Sequence, residues 1–189
     1  NSPVLKATSG KYLIYNLGGN GFKIEGSSDT IYSGNTSNNI IAGDIAGSGR
    51  YALVTETQGY PSSLSVYLTD NTVQYKYDFS EYYVTDISLN SDGTRAAVSG
   101  ITAKDGGIVS AVYIFDFSNP EPIAILTYNE VLMEKVEYMD NGTVAAIGDT
   151  TTSMINGTTG EKVDYNYQSR QMTDYAIDKN RVALALTPY

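Results

Sequence analysis

One pattern of residues recurs along the chain and limits what the chain can fold into. Each copy has an apolar run, a short polar turn with Gly or Asn, and a second apolar run rich in Ala. The copies are Thr8–Tyr15, Ile45–Val54, Val84–Ser99, Val136–Ile147 and Tyr175–Ala185. Their turn residues, Gly10, Gly49, Gly93, Gly142 and Asn180, are 39, 44, 49 and 38 positions apart. The pattern indicates repeated strands, because helical repeats would show a period of about 3.6 residues.

Four strands can be assigned within one unit. In the third unit they span residues 84–89, 95–100, 109–117 and 123–128, and the turn Asn90–Gly93 joins the first two. Four-stranded units that repeat every roughly 40–50 residues are typical of β-propeller blades. The predicted fold is therefore all-β, a β-propeller with four-stranded antiparallel blades. The predicted blades span residues 3–34, 39–78, 84–128 and 133–166, with half of a fifth blade at 172–187.

This division makes the chain a single propeller segment of about four and a half blades. A propeller closes into a ring, which protects the edges of its strands. The sequence therefore predicts part of a seven- or eight-bladed propeller, which needs further blades or a second copy of the chain to close. One segment, residues 129–139, has apolar residues at roughly helical spacing, but the repeat predicts an innermost strand at 133–138.

Alanine recurs in the second strand of the units. Blades converge toward the axis of a propeller, so small side chains there relieve crowding. We interpret these alanines as packing residues without a chemical role. They are Ala52, Ala96, Ala97, Ala145, Ala146, Ala183 and Ala185.

Some of these segments resemble known propeller repeats. Asn90–Val98 resembles the S-P-D-G-T-R-L-A-V core of WD40-like bacterial repeats, and Met154–Val163 is similar to a quinoprotein-type strand and turn. The chain as a whole resembles a family of uncharacterised propeller proteins of Gram-positive bacteria, classed only as a domain of unknown function. Members of that family carry a membrane helix before an extracytoplasmic propeller. The resemblance implies a cell-surface location, a membrane anchor outside this chain, and no catalytic residues.

Composition excludes several functions. The chain has 12 Lys+Arg and 21 Asp+Glu, a net charge of −9, whereas nucleic-acid binding needs a basic face. It has no Cys, His or Trp, which excludes disulfides, Cys/His zinc sites, Ser–His nucleophiles and Trp-based docking of quinone cofactors. Turns at Asp92, Asp105 and Asp140 lack the spacing of an EF-hand loop. We therefore predict no cofactor and no metal.

Tyrosine is in excess, with 17 residues. Most tyrosines fall on predicted strands, where half-buried aromatic rings are common, but some fall in predicted loops. In a propeller the loops after the second and fourth strands of every blade share one face, and binding residues concentrate on such loops. The sequence therefore predicts a candidate binding face at Tyr60, Glu81, Tyr82, Lys104, Asp105 and Arg170.

From these observations we expect a non-enzymatic, extracytoplasmic module that binds a protein, peptide or carbohydrate. Two alternatives remain open. One is a glycoside or other hydrolase with a pair of carboxylates at the propeller face, for which a raised carboxyl pKa in a pocket would be the sign. The other is a structural spacer domain.

Overall fold

The structure is a computed structural model that describes residues 2–189. These residues form eighteen β-strands and no helix. No membrane-spanning helix is present among them. The strands are β1 Ser2–Thr8, β2 Lys11–Leu17, β3 Gly21–Glu25, β4 Thr30–Asn35, β5 Ile40–Ile45, β6 Tyr51–Thr55, β7 Ser62–Tyr67, β8 Val73–Phe79, β9 Tyr83–Leu89, β10 Arg95–Lys104, β11 Gly107–Asp116, β12 Ala124–Asn129, β13 Met133–Tyr138, β14 Thr143–Gly148, β15 Thr151–Asn156, β16 Lys162–Asn166, β17 Met172–Asp178 and β18 Arg181–Leu186.

The strands pair mainly as antiparallel neighbours in chain order. Strands β9–β12 and β13–β16 each form a four-stranded sheet, and β17–β18 form a two-stranded sheet. The first eight strands form one sheet, which differs from the predicted separation of the first two units. The reason is local: Leu17 pairs in parallel with Ile40 where β2 ends and β5 begins, and the Ile40 amide donates to the Gly19 carbonyl at 2.7 Å.

The helical alternative at residues 129–139 is excluded, because Met133–Tyr138 forms strand β13. This strand begins the β13–β16 sheet at the predicted position of an innermost strand. Met133 and Val136 are fully buried against the preceding sheet. Tertiary packing therefore decides the conformation of this segment over its short helical spacing.

The cores lie between four-stranded units that follow one another in the chain, the first two of which belong to one sheet. Successive side chains of a strand point to opposite faces of its sheet. Most sheets of this protein are buried on both faces. Leu13 of β2 packs with Leu53 of β6, Phe79 of β8 packs with Phe115 of β11, and these four side chains are fully buried. A further core joins the sheets β9–β12 and β13–β16.

The alanines of the second strands lie in these cores, except at the last hairpin. Ala52, Ala96, Ala97, Ala145 and Ala146 are each fully buried. In the last hairpin Ala176, Ala183 and Ala185 are exposed, and we call them the last end face. Leu5, Tyr12 and Lys23 of the first sheet are also exposed, and we call them the first end face. Among residues 2–189, no further sheet covers either end face.

The hairpin formed by β10 and β11 is longer than its neighbours. Its ladder runs from the Arg95–Asp116 pair to the Lys104–Gly107 pair, whereas β9 stops pairing at Ile101. The predicted strand 95–100 is therefore too short. Asp105 and Gly106 have φ of 51° and 82°, which closes a two-residue turn that suits strand twist. We call residues 102–108 the projecting hairpin.

Candidate functional site

Connections after the second and fourth strands lie on one side of the sheets, which we call the loop face. In an antiparallel sheet, even-numbered strands all end on the same side. Residues 56–61, 80–82, 105–106 and 167–171 are such connections. Five of the six predicted binding residues lie in these connections, and Lys104 is the last residue of β10.

Three predicted residues meet at the projecting hairpin. The Lys104 ammonium forms an ion pair with Glu81 and lies 5.9 Å from the centroid of the Tyr82 ring. The hydrogen bond with Glu81 raises the pKa of Lys104. Both charged side chains are about half exposed, so the pair is screened by water and contributes little stability. The ion pair instead connects the hairpin to the loop that precedes β9.

Tyr82, which is predicted for the binding face, does not expose its ring. The Tyr82 side chain is 2% exposed and packs edge-on against Tyr113, with ring centroids 6.0 Å apart. The adjacent residue, Tyr83, is 61% exposed. Alternation along an extended chain places neighbouring side chains on opposite sides. Sequence alone does not decide which of two consecutive tyrosines faces the core.

Of the other predicted residues, Tyr60 is 47% exposed and Asp105 is exposed at the tip of the projecting hairpin. Arg170 lies apart from them, after β16. Its Nε donates to the Tyr167 carbonyl at 3.0 Å and its Nη2 donates to the Tyr165 hydroxyl at 2.9 Å. The structure thus brings Glu81, Tyr82, Lys104 and Asp105 together at the projecting hairpin. Arg170 lies in a different connection of the loop face.

A second group of charges lies on the innermost strands and was not predicted. Lys6, Asp44, Lys135 and Glu137 line a small cavity of about 190 Å³. Asp86 lies beside them, 3.6 Å from the Lys6 ammonium and 3.4 Å from the Lys135 ammonium. We call these five residues the axial cluster. The only signal in the sequence is a charged residue within each of four otherwise strand-like runs.

The carboxylates of the axial cluster help to hold neighbouring sheets together. Backbone amides of one sheet donate to side chains on the innermost strand of the sheet before it. Hydrogen bonds of this kind to buried or charged groups contribute about 1–3 kcal/mol each. The bonds are Leu89 N to Asp44 Oδ2 (2.7 Å), Val136 N to Asp86 Oδ2 (3.0 Å) and Tyr138 N to Ser88 Oγ (2.8 Å).

No group of three or more acidic side chains in residues 2–189 is arranged to hold a metal ion. In the axial cluster, Lys135 lies 3.6 Å from Glu137 as well as near Asp86. The lysines therefore occupy the space where a cation would have to approach the carboxylates. The arrangement fits charge compensation within the protein.

Burial raises the pKa of Asp44 to about 6, against a smaller lowering by the hydrogen bond from Leu89 N. A folded-state pKa above the unfolded value means that protonation stabilises the fold. This stabilisation is complete below about pH 4 and is lost as the pH rises through 6.

Asn at position 44 keeps a side-chain acceptor without the charge. We expect Asp44→Asn to be more stable than the natural protein. The difference in their free energies of unfolding should be about 1–2 kcal/mol larger at pH 8 than at pH 5.

Urea denaturation of both proteins from pH 5 to pH 8 tests this prediction. Other titrating groups are shared by the two proteins, so they cancel in the difference. A stability difference that stays constant over this range would contradict the raised pKa. Ser65→Ala, a change in β7 away from the axial cluster, is the control and should give a pH-independent difference.

Solved structures of low sequence identity share the fold. KlHsv2, in a form with loop 6CD replaced by a Gly-Ser linker, matches 97% of this chain and 61% of its own, with 12% identity and a TM-score of 0.65. The Pan2 WD40 domain of Neurospora crassa matches 95% and 57%, with 9% identity and a TM-score of 0.65. The hydrazine synthase of Kuenenia stuttgartiensis matches 87% and 53%, with 10% identity and a TM-score of 0.60.

These similarities show a WD40-like, propeller-type fold, and the prediction of an all-β propeller-like chain is confirmed at that level. At these identities the similarity concerns the fold alone. The chain spans between 53% and 61% of the length of the three structures. No curated protein matches it in sequence. A family model matches residues 1–188, and the chain therefore belongs to the family of unknown function DUF5711.

Proposed function

We propose that this chain is an interaction domain that binds a protein or peptide with its loop face. The fold supports this, because WD40-like propellers commonly mediate protein interactions. The main observation that supports the proposal is the projecting hairpin. Its two strands are joined by a tight turn and extend past their neighbours, so it offers a partner an ordered edge at little entropic cost.

The side chains around the projecting hairpin suit a protein partner. Ile108 of the hairpin is 47% exposed, Tyr83 on the adjacent strand β9 is 61% exposed, and Tyr60, elsewhere on the loop face, is 47% exposed. Exposed aromatic and aliphatic side chains on a rigid support are typical anchors of protein interfaces. Glu81 and Lys104, which form an ion pair beside the hairpin, supply charged groups for the rim of the interface. Binding of this kind requires no catalytic group and no cofactor.

One observation favours the hydrolase alternative. Asp44 has a raised pKa and shares a cavity with Glu137, as a general acid near a second carboxylate would. The contacts of both residues support a structural role more strongly. Asp44 accepts a backbone hydrogen bond from the next sheet, and Glu137 is paired with Lys135. We therefore retain the interaction domain as the proposed function.

The proposal extends to the setting of the domain. The exposed end faces support a larger propeller in which further blades, or a second copy, cover Tyr12 at one end and Ala183 at the other. An extracytoplasmic location at the cell surface, with a membrane anchor outside this chain, remains part of the proposal. As a structural spacer the domain would need no binding surface, so an ordered hairpin with exposed anchors argues against that role.

Selection from a random dodecamer peptide library on the immobilised protein tests the proposed binding. We expect enriched peptides whose affinity falls about tenfold or more, equivalent to about 1.4 kcal/mol, in Ile108→Ser. Ile125→Ser is the matched control, because Ile125 is also 47% exposed but lies on β12. Peptides that bind both variants equally, or a selection without enrichment over the bare support, would contradict the proposal.

A further inference from the structure

A cleft of about 480 Å³ lies on the loop face between the β13–β16 sheet and the β17–β18 hairpin. Its volume is within the roughly 300–1,000 Å³ range of small-molecule sites. Its lining comes from two connections, between β14 and β15 and between β16 and β17, and from the start of β13 and β17. The polar lining residues are Glu134, Asp149, Thr150, Ser169, Arg170 and Gln171.

Arg170 is held in a fixed position at this cleft. The Tyr167 carbonyl and the Tyr165 hydroxyl accept two of its five N–H groups, and its guanidinium carbon lies 4.6 Å from the centroid of the Tyr189 ring. Within residues 2–189 these are its hydrogen bonds, so three N–H groups remain to donate to a ligand. A fixed guanidinium loses little side-chain entropy when it binds.

Acceptors lie along the same cleft. The Leu132 amide donates to Asp149 Oδ1 at 2.9 Å, which orients the carboxylate and leaves its second oxygen to accept from a ligand. Glu134 is exposed on β13. Two exposed tyrosines contact the guanidinium: Tyr189, 88% exposed, through its ring and Tyr165, 51% exposed, through its hydroxyl. The cleft thus combines fixed donors, oriented acceptors and flat apolar rings.

The backbone at the cleft adopts a costly conformation. Gln168 and Ser169 have φ of 56° and 66°, a left-handed conformation that costs non-glycine residues about 1–2 kcal/mol each. Two hydrogen bonds hold it: the Gln168 amide donates to Asn166 Oδ1 at 2.8 Å, and the Tyr189 hydroxyl donates to Gln168 Oε1. Strain of this kind is concentrated at binding sites, where it fixes the geometry.

We propose that this cleft binds an uncharged carbohydrate. Sugar hydroxyls accept from the guanidinium and donate to the carboxylates, so a sugar can satisfy both kinds of group at once. A phosphate would be repelled by Asp149 and Glu134, and a simple cation would leave the N–H groups of Arg170 without an acceptor. The C–H faces of a sugar ring can pack on the exposed tyrosine rings beside Arg170.

The site is separate from the projecting hairpin and does not depend on peptide binding there. Saturation-transfer NMR with cellobiose, lactose, maltose and chitobiose tests it directly. We expect at least one disaccharide to bind, with an affinity about tenfold or more lower in Arg170→Ala. Glu134→Gln changes an exposed side chain, so it leaves the fold intact while removing an acceptor charge, and should weaken the same sugar about threefold or more.

Two controls make the result specific. Arg181→Ala removes an exposed arginine of β18 outside the cleft, and Ile108→Ser alters the projecting hairpin. Both should bind the sugar as the natural protein does. The proposal is overturned if none of the four disaccharides binds, or if binding is unchanged in both Arg170→Ala and Glu134→Gln. Binding of the zwitterionic dipeptide Gly-Gly in place of every sugar would also overturn it, and would assign the cleft to a peptide terminus.

Discussion

Replacing Phe115 by alanine should lower the free energy of unfolding by about 3–5 kcal/mol. Phe115 is fully buried, with 0% of its surface accessible to solvent. It stacks on Tyr113 at 6.0 Å and meets Tyr77 edge-on at 5.1 Å. The alanine variant therefore leaves a cavity at the core that joins β5–β8 to β9–β12, and it loses aromatic contacts as well as buried area.

Urea denaturation at constant pH measures this loss. Phe115→Leu is the matched variant, because it keeps most of the apolar volume and should cost less than half as much as alanine. Val73→Ala, at a position 48% exposed on β8, should change the stability by less than about 0.5 kcal/mol. A cost below about 1.5 kcal/mol for Phe115→Ala would show that the two sheets do not share the described core.

Replacing Asp86 by alanine is the second large expected effect, about 2–4 kcal/mol. The Asp86 side chain is 12% exposed. Its carboxylate accepts from Val136 N at 3.0 Å and lies between the ammonium groups of Lys6 and Lys135. Its loss leaves the Val136 amide without an acceptor and removes the ion-pair partner of Lys6, while Lys135 keeps only its pair with Glu137.

Asp86→Asn separates these two contributions. It keeps an oxygen that can accept from Val136 N, so its cost reports mainly the lost charge. Lys6→Met in the Asp86→Ala background should recover part of the stability, because it removes the ammonium that lost its ion-pair partner while keeping most of the aliphatic length. If Asp86→Ala unfolds at the same urea concentration as the natural protein, the carboxylate does not link the sheets β9–β12 and β13–β16.

The parts of the fold set by local pattern could be predicted from the sequence. The repeated turns located the strands around Asn90–Gly93, and Gly93 has the positive φ, 73°, that its turn requires. Burial of Ala52 and Ala97 between sheets also agrees with the prediction that these small residues relieve crowding. Such features follow from side-chain size and turn chemistry over a few residues.

Features set by distant contacts could not be predicted in this way. The length of the projecting hairpin depends on where β9 and β12 stop pairing with it. The burial of Tyr82 depends on its contact with Tyr113 on another strand. The axial cluster unites Lys6, Asp44 and Lys135 from separate units, and a single sequence contains no signal of that proximity.

The two end faces have a consequence for association of the chain with itself. The first end face presents bulky Leu5 and Tyr12, whereas the last end face presents small Ala176 and Ala183. Because the two surfaces differ, a contact between them joins two copies head to tail, and two copies close into a ring only if both such contacts form at once. Contacts of that type either close into a ring or continue as an open filament. The geometry of the end faces therefore decides between a discrete assembly and an indefinite polymer.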